Sequence, residues 1–137
     1  MNGNMFLVKP ERRRLLQVGA TVAVIALGLA SRAFPQFVPA ALGKYPGDAL
    51  WAMMIVFALG IVATRMRTWQ LALTALLICF AVEFGQLYQA PWIVELRAHP
   101  LGHLVMGSAF GWVDLIVYTA GVAIAALVDK AALFKRR

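Results

Sequence analysis

Four apolar stretches, at residues 15–33, 49–64, 69–88 and 113–128, constrain this chain more than any other feature. An α-helix rises about 1.5 Å per residue and the hydrocarbon core of a bilayer is roughly 30 Å thick, so each stretch approaches spanning length. None shows the strict alternation of a membrane β-strand, and lipid offers backbone groups no hydrogen bonds, so helices are the expected solution. The predicted fold is all-α, a single integral membrane domain over residues 1–137 built as a four-transmembrane-helix bundle. Composition agrees: 62% of residues are hydrophobic and 14% charged, and the mean hydropathy is +0.77, outside the range of a soluble domain.

The formal net charge of +7 raises the question of nucleic acid. Such binding needs basic residues clustered on a folded surface, whereas here they flank apolar runs, so no nucleic-acid partner is expected. Their distribution instead sets the orientation, because Lys and Arg near span ends are retained on the cytoplasmic side. With both termini inside, ten cations are cytoplasmic: Lys9, Arg12, Arg13, Arg14, Arg65, Arg67, Lys130, Lys135, Arg136 and Arg137. Arg32, Lys44 and Arg97 lie outside. Residues 1–14 and 129–137 become basic cytoplasmic ends, and a bacterial inner (plasma) membrane location follows as an expectation. Trp69 belongs to the inner interfacial belt, and Trp51, Trp92 and Trp112 to the outer one. The basic start, apolar run and small residues at Ser31 and Ala33 also describe a secretory signal peptide. The length of the run and Pro35 just beyond the cut favour a retained helix.

The connections differ in character. Residues 34–47 are rich in Pro and Gly and form an outer loop, with Asp48 placed to cap the second helix. The turn at 65–68 is short, which makes the second and third helices antiparallel neighbours. Between the third and fourth, residues 91–97 read as a short interfacial helix with Trp92, Ile93 and Leu96 toward lipid. The apolar run 101–112 reads as a re-entrant or interface-lying piece. Gly121 and Ala125, four apart, suit close helix contact; Gly107 and Gly111 share that spacing and leave a homodimer open. Cys79 sits in an apolar run and receives no role.

Polar residues inside the spans are few. Glu83 is fourteen residues past Trp69 and Asp114 fifteen before Asp129, which places both roughly 21 to 22 Å from the inner boundary. An ionised carboxylate at that depth is costly against lipid, so both should face the bundle interior or a water-filled pocket. Gln86 shares a helix face with Glu83, and Tyr118 lies one turn from Asp114. The helix dipole disfavours an anion near a helix C-terminus, so Glu83 needs a partner among Arg32, Arg97, His99 and His103, or a proton. The candidate binding set is Arg32, Asp48, Glu83, Gln86, Arg97, His103, Asp114 and Tyr118, with Glu83 and Asp114 as candidate catalytic carboxylates and whether the chain is an enzyme left open. Bland alternatives stand beside it: Asp48 and Asp114 as helix N-terminal charges, Arg32 and Lys44 as boundary residues, the histidines as structural hydrogen-bonders, and Glu83 in a structural ion pair. The histidine spacing gives no metal site, and no cofactor is expected.

Glu83-x-x-Gln86, then Arg97, then Asp114-Leu-Ile-Val-Tyr118-Thr-Ala-Gly121 resembles the pattern of VanZ-like bacterial membrane proteins. The chain from about Arg12 to Asp129 is more closely similar to the bacterial membrane family called domain of unknown function 2809, on Gly47-Asp48, Glu83, Gln86-Leu87-Tyr88, Trp92, Arg97, Gly102-His103 and Asp114. The resemblance implies an uncharacterised envelope protein, and VanZ itself is associated with low-level glycopeptide resistance. Three functions compete: an outward-facing site for an anionic lipid or cell-envelope precursor headgroup, a non-catalytic assembly or stability partner of another membrane protein, and a small dimeric proton-coupled transporter. Arg pairs bidentately with phosphate and a carboxylate can act as a base, which favours the first.

Overall fold

A computed structural model describes residues 11–107 and 109–135. Lys9, Arg136 and Arg137, counted above among the inner cations, lie outside the described residues. The elements in order are β1 (Glu11–Arg12), α1 (Arg14–Ala33), a 3-10 turn (Pro35–Phe37), α2 (Tyr45–Val62), α3 (Thr68–Gly85), α4 (Pro91–Ala98), α5 (Pro100–Met106), α6 (Trp112–Val128), a π turn (Asp129–Leu133) and β2 (Phe134–Lys135). Four are long and apolar enough to cross a membrane: α1, α2, α3, and α6 continued through its π turn to Leu133. The chain is a multi-pass membrane protein by this architecture.

Proline sets several of the boundaries. Its fixed φ and missing N–H suit the first turn of a helix, and Pro46, Pro91 and Pro100 each stand in the first turn of α2, α4 and α5. Pro46 therefore brings the start of α2 forward to Tyr45 rather than 49, and Asp48 lies within the first turn instead of capping it. The segment expected to lie re-entrant or at the interface forms α5, and α6 begins at Trp112. In α4, Trp92 and Leu96 are exposed as expected, but Ile93 is turned inward one turn before Arg97.

α2 is the central helix, packed against α1, α6 and α3, and α3 also packs on α6. The core is narrow, with Ala52, Val56, Phe57, Leu71, Ala75, Cys79, Val122 and Ala125 buried. Large apolar side chains such as Leu15, Val62, Trp112 and Leu127 cover the outside, as lipid-facing helices require. The α2–α6 approach is set by Gly121, where any Cβ would collide with the Ala49 carbonyl, and by fully buried Ala125 one turn on. The small-residue spacing thus serves packing within one chain.

β1 and β2 pair antiparallel, Glu11 with Lys135 and Arg12 with Phe134, and the Arg12 amide donates to the Thr64 carbonyl in the α2–α3 turn. The two chain ends and that turn therefore meet at one end of the bundle. A buried polar cluster lies here. Arg12 and Asp129 form an ion pair whose side chains are both 0% exposed, with Nε to Oδ1 at 2.7 Å and Nη2 to Oδ2 at 2.9 Å. Gln17 and Thr68 also donate to the carboxylate, at 2.6 and 2.7 Å. Asp129, used above as the inner-boundary marker for depth, lies four residues past fully buried Ala125 and continues the buried face of α6 into the bundle.

Candidate functional site

At the opposite end, the first turns of α2 and α6, the last turn of α3, the end of α1 and the roof helix α5 enclose a cavity of about 500 Å³. Six of the eight candidate residues line it: Arg32, Asp48, Gln86, His103, Asp114 and Tyr118. Lys44 and Trp51 complete the polar and aromatic wall. Trp51 is not a belt residue, as the sequence suggested; its ring lies 5.8 Å from that of Tyr118. Trp92 and Trp112 remain exposed at this end, and Trp69 at the other.

Asp114 sits in the first turn of α6, where the helix dipole favours an anion. Its side chain is 4% exposed, and Oδ2 accepts from Lys44 Nζ at 2.9 Å. Lys44, outside the span, is the cation that sequence reasoning left out of the site, because a residue in a Pro- and Gly-rich loop carries no periodicity to aim it. Partial burial lowers its pKa, but the hydrogen bond and charge of Asp114, then the charges of Asp48 and Glu83, outweigh this and raise it above the ordinary lysine value. Asp48 stands between Arg32 at 3.8 Å and Lys44 at 3.9 Å. Both cations keep substantial exposure, 39% for the Arg32 side chain and 61% for Lys44, so they form a positive rim over a base of carboxylates.

Glu83 lies one layer deeper and is fully buried. Oε1 accepts from the Gly111 amide at 2.8 Å and Oε2 from the Tyr118 hydroxyl at 3.0 Å. None of the cations expected as its partner makes that bond. Glu83 does not line the cavity and supports its wall from behind.

Arg97 is displaced from the site. Its guanidinium donates to the carbonyls of Tyr88 at 2.7 Å and Gly85 at 2.8 Å, placing a cation at the C-terminal end of α3, where the helix dipole is negative. The cation is a cap for α3 and not a wall of the cavity. His99 caps α5, its Nδ1 accepting from the Leu101 amide at 3.2 Å, a structural role; His103, one turn on, faces the cavity.

Gln86 ties α5 down. Its Nε2 donates to the Met106 carbonyl at 2.8 Å, which fixes the orientation of the amide, and its side chain rests on Gly107, whose φ of 66° with a crowded Cβ position requires glycine. The buried Oε1 has no hydrogen-bond partner among the described residues, and neither does the buried Oδ2 of Asp48. Buried acceptors are normally satisfied, and both residues line the cavity. The arrangement therefore offers cations for an anion at the rim and acceptors for hydroxyl or ammonium donors inside. Among the described residues no three His, Cys, Asp or Glu side chains come together as metal ligands.

No solved structure matches the chain. The sequence does match a protein family over residues 37–122, a span that holds Lys44, Asp48, Glu83, Gln86, His103, Asp114 and Tyr118 and leaves out Arg12, Arg32 and Asp129. The chain belongs to the family described as Protein of unknown function (DUF2809).

Proposed function

We propose that this protein binds the headgroup of a phosphate-bearing amphiphile, an anionic lipid or a cell-envelope precursor, in the cavity between α2, α5 and α6. The observation that carries the reading is the pairing of a solvent-reachable Arg32 and Lys44 rim with unsatisfied acceptors of Asp48 and Gln86 in one cavity. Phosphate would sit on the two cations, since charge-assisted hydrogen bonds from Arg and Lys to phosphate are the strong ones, and headgroup hydroxyls would reach the acceptors. The cation bias between the two ends supports an outward-facing cavity in a bacterial inner membrane. A kinship with VanZ-like proteins belongs to the same reading, since it would set an envelope amphiphile at the level of Glu83, Gln86 and Asp114.

Transport is the weaker reading. A proton-exchanging carboxylate must be able to change partners, and Asp129, at the far end, is held by Arg12, Gln17 and Thr68. The test is native mass spectrometry of the purified protein with dihexanoyl phosphatidic acid and, as the neutral control, dihexanoyl glycerol. Phosphate-dependent adducts that disappear in Arg32→Gln and Lys44→Gln support the reading. Equal adducts with both probes, or adducts unchanged in both variants, refute it.

A further inference from the structure

A second, apolar cavity of about 160 Å³ adjoins the polar one and shares Arg32, Gly47, Trp51, Leu104 and Val105 with it as walls. It continues along α1 past Leu29, Gly28 and Ile25 to Val24, opposite Leu50 and Met54 of α2. From Arg32 to Val24 is eight residues, about 12 Å at the helical rise. That is close to the roughly 15 Å of one leaflet's hydrocarbon, half of the bilayer core. We propose that this groove is the seat of one hydrocarbon chain of the amphiphile, held between α1, α2 and the roof helix α5. The inference rests on the headgroup reading above and specifies what is attached to the phosphate.

Three features make the groove a built site. Gly28 leaves its floor open: a Cβ there would meet only Leu50 Cβ, at an ordinary 3.8 Å, so the helices are not forced apart by lack of room and a larger side chain would occupy the groove. Leu104 and Val105 cover the mouth from above, and α5 is fixed to the bundle by the Gln86–Met106 hydrogen bond. Arg32 lies at the junction, its aliphatic stem suited to the apolar side and its guanidinium to the polar side. A ligand filling both cavities has its charge at Arg32 and Lys44 and its chain running toward the bilayer centre, parallel to the lipids around it.

The test uses hexyl phosphate and inorganic phosphate, both water-soluble, measured by equilibrium dialysis against the full chain in nanodiscs of neutral lipid. Each buried methylene is worth roughly a fourfold gain in affinity, so burial of three or four predicts that hexyl phosphate binds about a hundredfold tighter than inorganic phosphate. Gly28→Leu fills the groove from the floor and Leu29→Trp from the side of α1, where Leu29 is 48% exposed and tolerant of size, and neither residue lines the polar cavity. In each folded variant the hexyl advantage falls about tenfold or more while inorganic phosphate binds as in the wild type. If hexyl phosphate binds no tighter than inorganic phosphate, or keeps its full advantage in both variants, the chain site is overturned and the headgroup site stands. If the wild type binds neither probe, both fall.

Discussion

Removing the carboxylate of Asp129 should destabilise the protein more than any change at the exposed rim of the cavity. The carboxylate receives four donors, two from Arg12 and one each from Gln17 and Thr68, at 2.6 to 2.9 Å, and neither charged side chain has any exposure. Deleting one partner of a buried pair costs about 3–5 kcal/mol because the other charge stays buried. Arg12 also donates to the carbonyls of Ala63 and Met66 just beyond the end of α2, where the helix dipole is negative, so Asp129→Leu belongs at the lower end, about 3 kcal/mol. Arg12→Met strands the carboxylate and costs a similar ~3 kcal/mol. The double variant Arg12→Met/Asp129→Leu removes both charges and should recover most of the loss, since apolar replacement of a buried pair is often neutral. The assay is reversible unfolding in mixed micelles, titrated with dodecyl sulfate and followed by tryptophan fluorescence, with the four proteins forming a double-mutant cycle. A coupling of at least about 2 kcal/mol is expected. Single variants within about 1 kcal/mol of wild type, or strictly additive losses, would refute the idea that this pair clamps the chain ends to the α2–α3 turn.

Other consequences follow from individual contacts. Gly121→Val forces α6 away from the Ala49 carbonyl and should lower unfolding free energy by about 1–3 kcal/mol in the same assay. Tyr118→Phe removes the donor to Glu83 Oε2 and should cost about 1–3 kcal/mol; no loss would mean that water or another group serves that oxygen. Because the folded-state Lys44 pKa lies above the ordinary value of 10.5, its ion pairs contribute fully below that value and are lost as pH rises through the folded pKa. Melting curves of wild type and Lys44→Gln should therefore keep a constant separation from neutral pH to about pH 10 and converge only above it. Arg97→Gln should lower stability by about 1–2 kcal/mol through the end of α3 and leave phosphate binding intact.

The bundle was legible in the sequence because lipid makes one demand, apolar length without unpaired backbone, and each span meets it plainly. That Glu83 belongs near Asp114 was legible for the same reason: a helix converts residue number to depth at a fixed rise, and Gly111 and Tyr118, three before and four after Asp114, both donate to Glu83. What depth does not carry is azimuth and partner. Arg97 was assigned to the carboxylates by being on the right side, yet the carbonyls of Gly85 and Tyr88 at the C-terminal end of α3 are nearer claimants. Lys44 was passed over because its loop has no period, and it reaches Asp114 across seventy residues of sequence. Asp129 served as a boundary marker because counting gives depth alone, yet it lies four residues past buried Ala125 and so falls on the inward face of α6. Ile93 faced lipid in the sequence reading and faces protein in the fold because Arg97, one turn on, is drawn to the end of α3.

In the proposed complex Arg32 and Lys44, not Arg97, hold the phosphate of the amphiphile. Phosphorus-to-nitrogen dipolar recoupling by solid-state NMR measures this directly, with hexyl phosphate bound to protein carrying ¹⁵N in its arginine and lysine side chains, and with Arg32→Gln, Lys44→Gln and Arg97→Gln proteins to assign the signals. Dephasing of the Arg32 and Lys44 nitrogens by phosphorus, with Arg97 unaffected, is the predicted result. Dephasing at Arg97 alone, or at none of the three, would contradict the account.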